Sequence, residues 1–354
     1  MEILRGTWYD VSAEGEIHRR EKETKTMRET LMERCELFAD NNELIRKKNI
    51  WDRDLMTITA GMIFTEKGVK ADTDKMKECN KILKKHEGCF SNFRNNIRLS
   101  VVSKMAVSEN PEEYLKEVIN IYKKLHAGRI TGSEYMALTA TIICDLHREG
   151  EMDAIIEKTK LLMKKMEKRH PIMTGQEDLA LLALLAMTDK EVDSIVEETE
   201  FYFKAMTKKF SFHGNAVQSL SFVMALMEGA PEEKCEKVIE IYKALAARGI
   251  KYGKEQTLAS LGALIGTELN PAELAGEIVE ASEYLKTRKG FSSWRIYSST
   301  RHMFAALMAA DVYAKDNAAM NSSVMSGALS IIIAEEIAML VVIAVCAANS
   351  SHSH

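Results

Sequence analysis

Val118-Ile119-Asn120-Ile121-Tyr122-Lys123-Lys124-Leu125 returns 120 positions later as Val238-Ile239-Glu240-Ile241-Tyr242-Lys243-Ala244-Leu245, with six of the eight residues identical. The interval is three periods of forty residues. A period of this size is the mark of stacked helical hairpins. Other signals keep the same step. Asn110-Pro111-Glu112-Glu113, Ala230-Pro231-Glu232-Glu233 and Asn270-Pro271-Ala272-Glu273 each read as a helix start. Proline suits the first helical position, where its missing N–H is not needed, and the glutamates complement the positive helix end. Gly132, Gly175, Gly214 and Gly253 open a second set of helices at spacings of 43, 39 and 39. Thr131-Gly132-Ser133-Glu134 and Thr174-Gly175-Gln176-Glu177 read as capping boxes, with the glutamate reaching back to the threonine.

The fold class that follows is all-α. Hairpin repeats of about forty residues form a solenoid or an α/α toroid, with an apolar C-terminal helix. Only 4 prolines and 18 glycines punctuate the 354 residues, which leaves room for helix nearly throughout. Six units fall at 53–90, 91–131, 132–174, 175–213, 214–252 and 253–293, and a half unit ends at Lys315. Each is read as a small-residue inner helix followed by a charged, amphipathic outer one. In domain terms, 1–26 is a polar extension, 27–315 the helical-repeat domain, 316–326 a linker, and 327–349 an apolar helix docked on the repeats. A membrane span at 327–349 is disfavoured. Its aliphatics give about −0.3 to −0.6 kcal/mol each, but Glu335 and Glu336 at its centre cost about 2.5 to 3.5 each. Arg295 or Arg301 are natural partners for these acids.

A net charge of −4 offers no basic surface for nucleic acid. Six cysteines without paired spacing, and no signal-peptide core, point to a reducing, cytoplasmic setting. No phosphate-binding glycine loop, nucleophile elbow or paired metal-ligand spacing is present, so no catalytic residue, metal or cofactor is assigned. His86 and Cys89 make half a zinc pattern with no matching second pair. His170 and His213 sit at hairpin borders, where a histidine serves as a helix cap.

A family resemblance rests on Phe90-Ser91-Asn92-Phe93-Arg94, Asn110-Pro111-Glu112-Glu113, His170-Pro171-Ile172-Met173-Thr174, Asp178-Leu179-Ala180, Gln218-Ser219-Leu220-Ser221 and the closing apolar helix. On these the chain resembles a bacterial family, domain-of-unknown-function family four-thousand-and-three, over roughly residues 30 to 348. Asn95 stands where glycine is expected. The resemblance implies an all-helical cytoplasmic protein and brings no activity with it.

Superposing the units aligns Arg94, Tyr135, Asp178, Gln218, Gln256 and Tyr297 near the starts of successive inner helices. They are the candidate ligand-binding layer, facing a common space beside free helix amides. The alternative is that they cap helices and bond repeat to repeat. The leading function is a binding or scaffold module with a concave polar inner surface for a peptide, protein or small anionic ligand. Two alternatives stand beside it: an enzyme with a pocket central to an α/α toroid, and a membrane-associated regulator held by the C-terminal helix.

Overall fold

A computed structural model describes the backbone of residues 11–314 apart from 89–90, 95, 128–131, 147–150, 212–213 and 251–256, with side chains from residue 28 onward. Cys89, Asn95, His213, Gly253, Gln256, the linker 316–326 and the apolar stretch 327–349 with Glu335 and Glu336 lie outside the described residues.

The described residues form fourteen α-helices and no strand. The first, α1 (Val11–Lys48), runs unbroken across the boundary expected at residue 26. Seven helices have no exposed face or nearly none: α2 (Asp54–Glu66), α4 (Arg98–Val107), α6 (Glu134–Leu146), α8 (Leu179–Ala186), α10 (Gly214–Leu226), α12 (Ser260–Ala263) and α14 (Ser298–Val312). Every residue of α8 is buried, as is every residue of α2 from Met56 to Thr65. A helix apolar all round has to be enclosed on all sides. The other six are amphipathic: α3 (Thr73–His86), α5 (Pro111–His126), α7 (Met152–Arg169), α9 (Val192–Thr207), α11 (Pro231–Ala247) and α13 (Pro271–Thr287). Helix α5 buries only Leu115, Val118, Ile121 and Leu125, spaced three or four apart on one stripe.

The three expected proline starts are helix starts, with Pro111, Pro231 and Pro271 in the first turn. Asn110 and Asn270 accept first-turn amides through their side chains. The capping boxes differ from expectation. At residue 175 the side chain that reaches back belongs to Asp178, whose Oδ2 accepts from the Gly175 amide at 3.0 Å. A short 3₁₀ turn, Gln176–Asp178, shifts the register by one and swings Asp178 into Glu177's place. At the other border Ser133 Oγ accepts from the Met136 amide, and Glu134 accepts instead from Asn96.

Contacts run in two series. One passes α2, α4, α6, α8, α10, α12 and α14, and the other α3, α5, α7, α9, α11 and α13. Among helices adjacent in sequence, α1 packs on α2, α3 on α4, α5 on α6, α7 on α8, α9 on α10 and α13 on α14, while α11 meets α13 more closely than α12. These pairings set the second helix of one expected unit against the first helix of the next. Gly132, Gly175 and Gly214 lie at or just before the start of the second helix in such a pair. The sixth inner helix is also shorter than expected, four residues of α12 and a 3₁₀ turn. Helix α1 packs on α2 and also on α13 and α14. Phe38 meets Phe291 and Phe304 there, with ring centroids 5.0 and 5.4 Å apart. Arg288 with Asp40, Lys289 with Glu43 and Arg34 with Asp311 add ion pairs along the same seam.

Candidate functional site

The polar groups gather at the two ends of the buried helices, and the ends differ in chemistry. At the starting end, Thr174, Asp178 and Gln218 come together in the interior, each at most 8% exposed. The 3₁₀ turn before α8 supplies Asp178, and the second turn of α10 supplies Gln218. Gln218 Nε2 donates to Thr174 Oγ1 at 3.0 Å and to Asp178 Oδ2 at 3.1 Å. Gln218 Oε1 is buried without a partner. Burial, aided by the charge of Glu177, raises the Asp178 carboxyl to about 7 against the pull of the Gly175 amide and Gln218. A buried carboxyl titrating near neutrality is a recurring sign of a functional site, although structural networks produce it too.

At the finishing end the buried helices expose backbone carbonyls, which carry the negative pole and lack intrahelical donors. Cations from neighbouring elements meet them. Arg34 donates to Thr65 O at 2.6 Å, Lys75 to Ser108 O at 3.1 Å, Lys158 to Thr188 O at 2.7 Å, Lys190 to Ala225 O at 2.9 Å and Lys237 to Thr267 O at 2.7 Å. The fullest case is Lys234, 2% exposed. Its Nζ donates to Glu198 Oε1 at 2.9 Å, Met224 O at 3.1 Å and Met227 O at 2.8 Å. Glu198 also accepts from Lys190 and from the Tyr202 hydroxyl. Burial lowers the Lys234 ammonium's pKa and Glu198 works against it. Beside this group lies a pocket of about 530 Å³. An ammonium has three N–H donors, and all three of Lys234 are bonded. The cluster braces helices and leaves no lone pair for a nucleophile.

Residues 41–338 match the family described as Protein of unknown function (DUF4003). The chain belongs to that family. No curated protein and no solved structure matches it. In this DUF4003 protein the match begins inside α1 and takes in both ends of the helical layer.

Of the six candidate layer residues, the structure joins two, Asp178 and Gln218. Arg94 is half-buried and donates to Glu87 O at 3.2 Å, within its own loop. Tyr135 is half-buried and packs against the core. Tyr297 precedes α14 and is 83% exposed. Gln256 lies outside the described residues. Thr174 belongs with the pair and was legible only as a cap. The cation series was not anticipated; its sequence signal is a Lys or Arg about thirty residues before an inner-helix end. His86 and His170 each meet a glutamate, Glu112 at 3.1 Å and Glu200 at 2.8 Å. His170 is the C-cap residue of α7 through its backbone, while its ring engages Glu200. Arg295 pairs with Asp54, and Arg301 donates to Phe291 O. Among the described residues no group of three metal-ligating side chains occurs, and no helix is long and apolar enough to cross a membrane.

Proposed function

We propose that this protein is a binding module built on a helical-repeat stack that closes on itself. Contacts between α1 and the pair α13–α14 support closure, as does the burial of α2 and α8 on every side. In such a ring the inner surface is filled with side chains, so recognition moves to an end face. One observation carries this reading. Ile50, Trp51, Trp294 and Tyr297 are 69, 94, 99 and 83% exposed. They occupy the two loops that the Arg295–Asp54 ion pair draws together at 3.3 Å. Exposed aromatic clusters of this kind are characteristic of interface anchors. The partner is a protein segment with aliphatic or aromatic side chains that seats over the two tryptophans. Burial of the cysteines Cys35, Cys79, Cys144 and Cys235, none in a disulfide, agrees with a cytoplasmic setting.

The test places a photo-crosslinking amino acid at Tyr297 in the native host. A defined protein adduct is expected. Its purified partner should bind the Trp51→Ser/Trp294→Ser variant at least about tenfold more weakly, the usual loss on removing an aromatic anchor. No adduct, or unchanged affinity in the variant, would overturn the reading; a self-adduct would make the partner a second copy.

The enzyme reading keeps one supporting observation, the buried Asp178 carboxyl titrating near neutrality. Gln218 donates to both Asp178 and the Thr174 hydroxyl, and this inter-helix bonding accounts for the geometry.

A further inference from the structure

A pocket of about 360 Å³ opens where α1 ends and α3 and α4 begin. Three cationic side chains from three elements line it: Lys48 from the end of α1, Lys77 from α3, and Arg98 from the first turn of α4. Lys48 and Lys77 are exposed. Both oxygens of Asp52 accept from Arg98 Nη2, at 2.8 and 2.6 Å, and orient the guanidinium. Among the described residues Asp74 is the one acid in the lining. No side chain caps the α4 N-terminus, so its positive pole adds to the field of Arg98. Met76 and Val102 form a buried apolar floor. Asn80 also lines the pocket, and its Oδ1 is buried with no hydrogen-bond partner. A buried amide oxygen without a donor is an incomplete bond.

Together these features specify a ligand with three parts. It carries an anionic group for the cations, a hydroxyl donor for Asn80 Oδ1 once a half-turn of the terminal amide brings that oxygen to the pocket, and a short carbon skeleton for Met76 and Val102. We infer that this pocket binds a small phosphate monoester of a polyol. Two lysines and a guanidinium converging from separate elements suit a phosphate's spread of acceptor oxygens. The pocket's volume is at the small end of the range for ligand sites.

The experiment is calorimetric titration of the full chain with glycerol 3-phosphate, propyl phosphate and inorganic phosphate at low salt. Saturable binding is expected, tightest for glycerol 3-phosphate because it alone carries hydroxyls on its carbon skeleton for Asn80. Lys48→Gln and Lys77→Gln should each weaken it by about tenfold, the scale of one charge-assisted contact. Both are surface changes, and an unchanged thermal melt verifies folding. Asn80→Leu should erase the preference for glycerol 3-phosphate over propyl phosphate. Vesicles containing phosphatidylinositol 4-phosphate, whose headgroup carries a phosphate monoester on a polyol, form a parallel arm. Sedimentation with vesicles that requires Lys48 and Lys77 assigns the ester to a lipid headgroup, and binding of the soluble ester alone assigns it to a free metabolite. Absence of saturable binding in both arms, or affinities that the two lysine substitutions leave unchanged, would overturn the inference.

Discussion

Asp178 is the residue where the sequence reading and the structure meet most closely. Its alignment with Gln218 followed from the repeat step, and the two side chains touch. What the spacing did not reveal is the 3₁₀ turn that moves Asp178 into the capping position, because a single tightened turn leaves no compositional trace. The energetic consequence has a definite sign. An unfolded chain releases this proton near 3.8, and the folded chain holds it to about 7. Between those values the folded form carries the extra proton, so stability falls as pH rises through the window and levels off above it. The slope is roughly 1.4 kcal/mol per pH unit. Asp178→Asn should remove it. Comparing urea unfolding at about pH 5 and pH 8, wild type should lose about 2–3 kcal/mol more than the variant. Parallel profiles for the two proteins would mean that Asp178 is ionised throughout.

At the scale of the helix, the outer layer was the readable part. Proline starts, asparagine caps and a single apolar stripe are local signals, and α5, α11 and α13 begin where those signals lie. The phase of the hairpins was not readable. Glycine and proline starts alternate at similar spacing, and only packing shows which loop lies within a pair. The cation braces were hidden for a related reason: they join side chains to backbone carbonyls, and a carbonyl has no sequence identity. Lys234 gives the sharpest prediction. Lys234→Ala leaves Glu198 partly buried and two carbonyls without their donor, and should cost about 3–5 kcal/mol. Replacing both charges together, as Lys234→Met with Glu198→Gln, should recover much of that loss. Guanidinium denaturation of the single and double variants measures both. Additive losses would show that the two side chains act separately.

Across the whole molecule, the meeting of α1 with α13 and α14 is the feature that no local signal announced. It depends on where the last helix arrives in space, and the sequence leaves the choice between an open and a closed stack unresolved. Phe38 is the centre of that meeting. Phe38→Ala should cost about 3–5 kcal/mol by the general scale for buried phenylalanine. In hydrogen exchange, protection should fall together in α1, α13 and α14, while α6 and α8 hold theirs, because each helix answers mainly to its neighbours. A uniform loss over all helices would make the chain a single cooperative block. The same meeting imposes a timetable on synthesis. Phe38 leaves the ribosome early and has to wait for Phe291 and Phe304. At ordinary elongation speeds of about 5–20 residues per second the interval is roughly tens of seconds. Throughout it the nascent chain displays an oily stripe with no mate, so a holdase that shelters α1 would raise the yield of folded protein more than one acting on the middle helices.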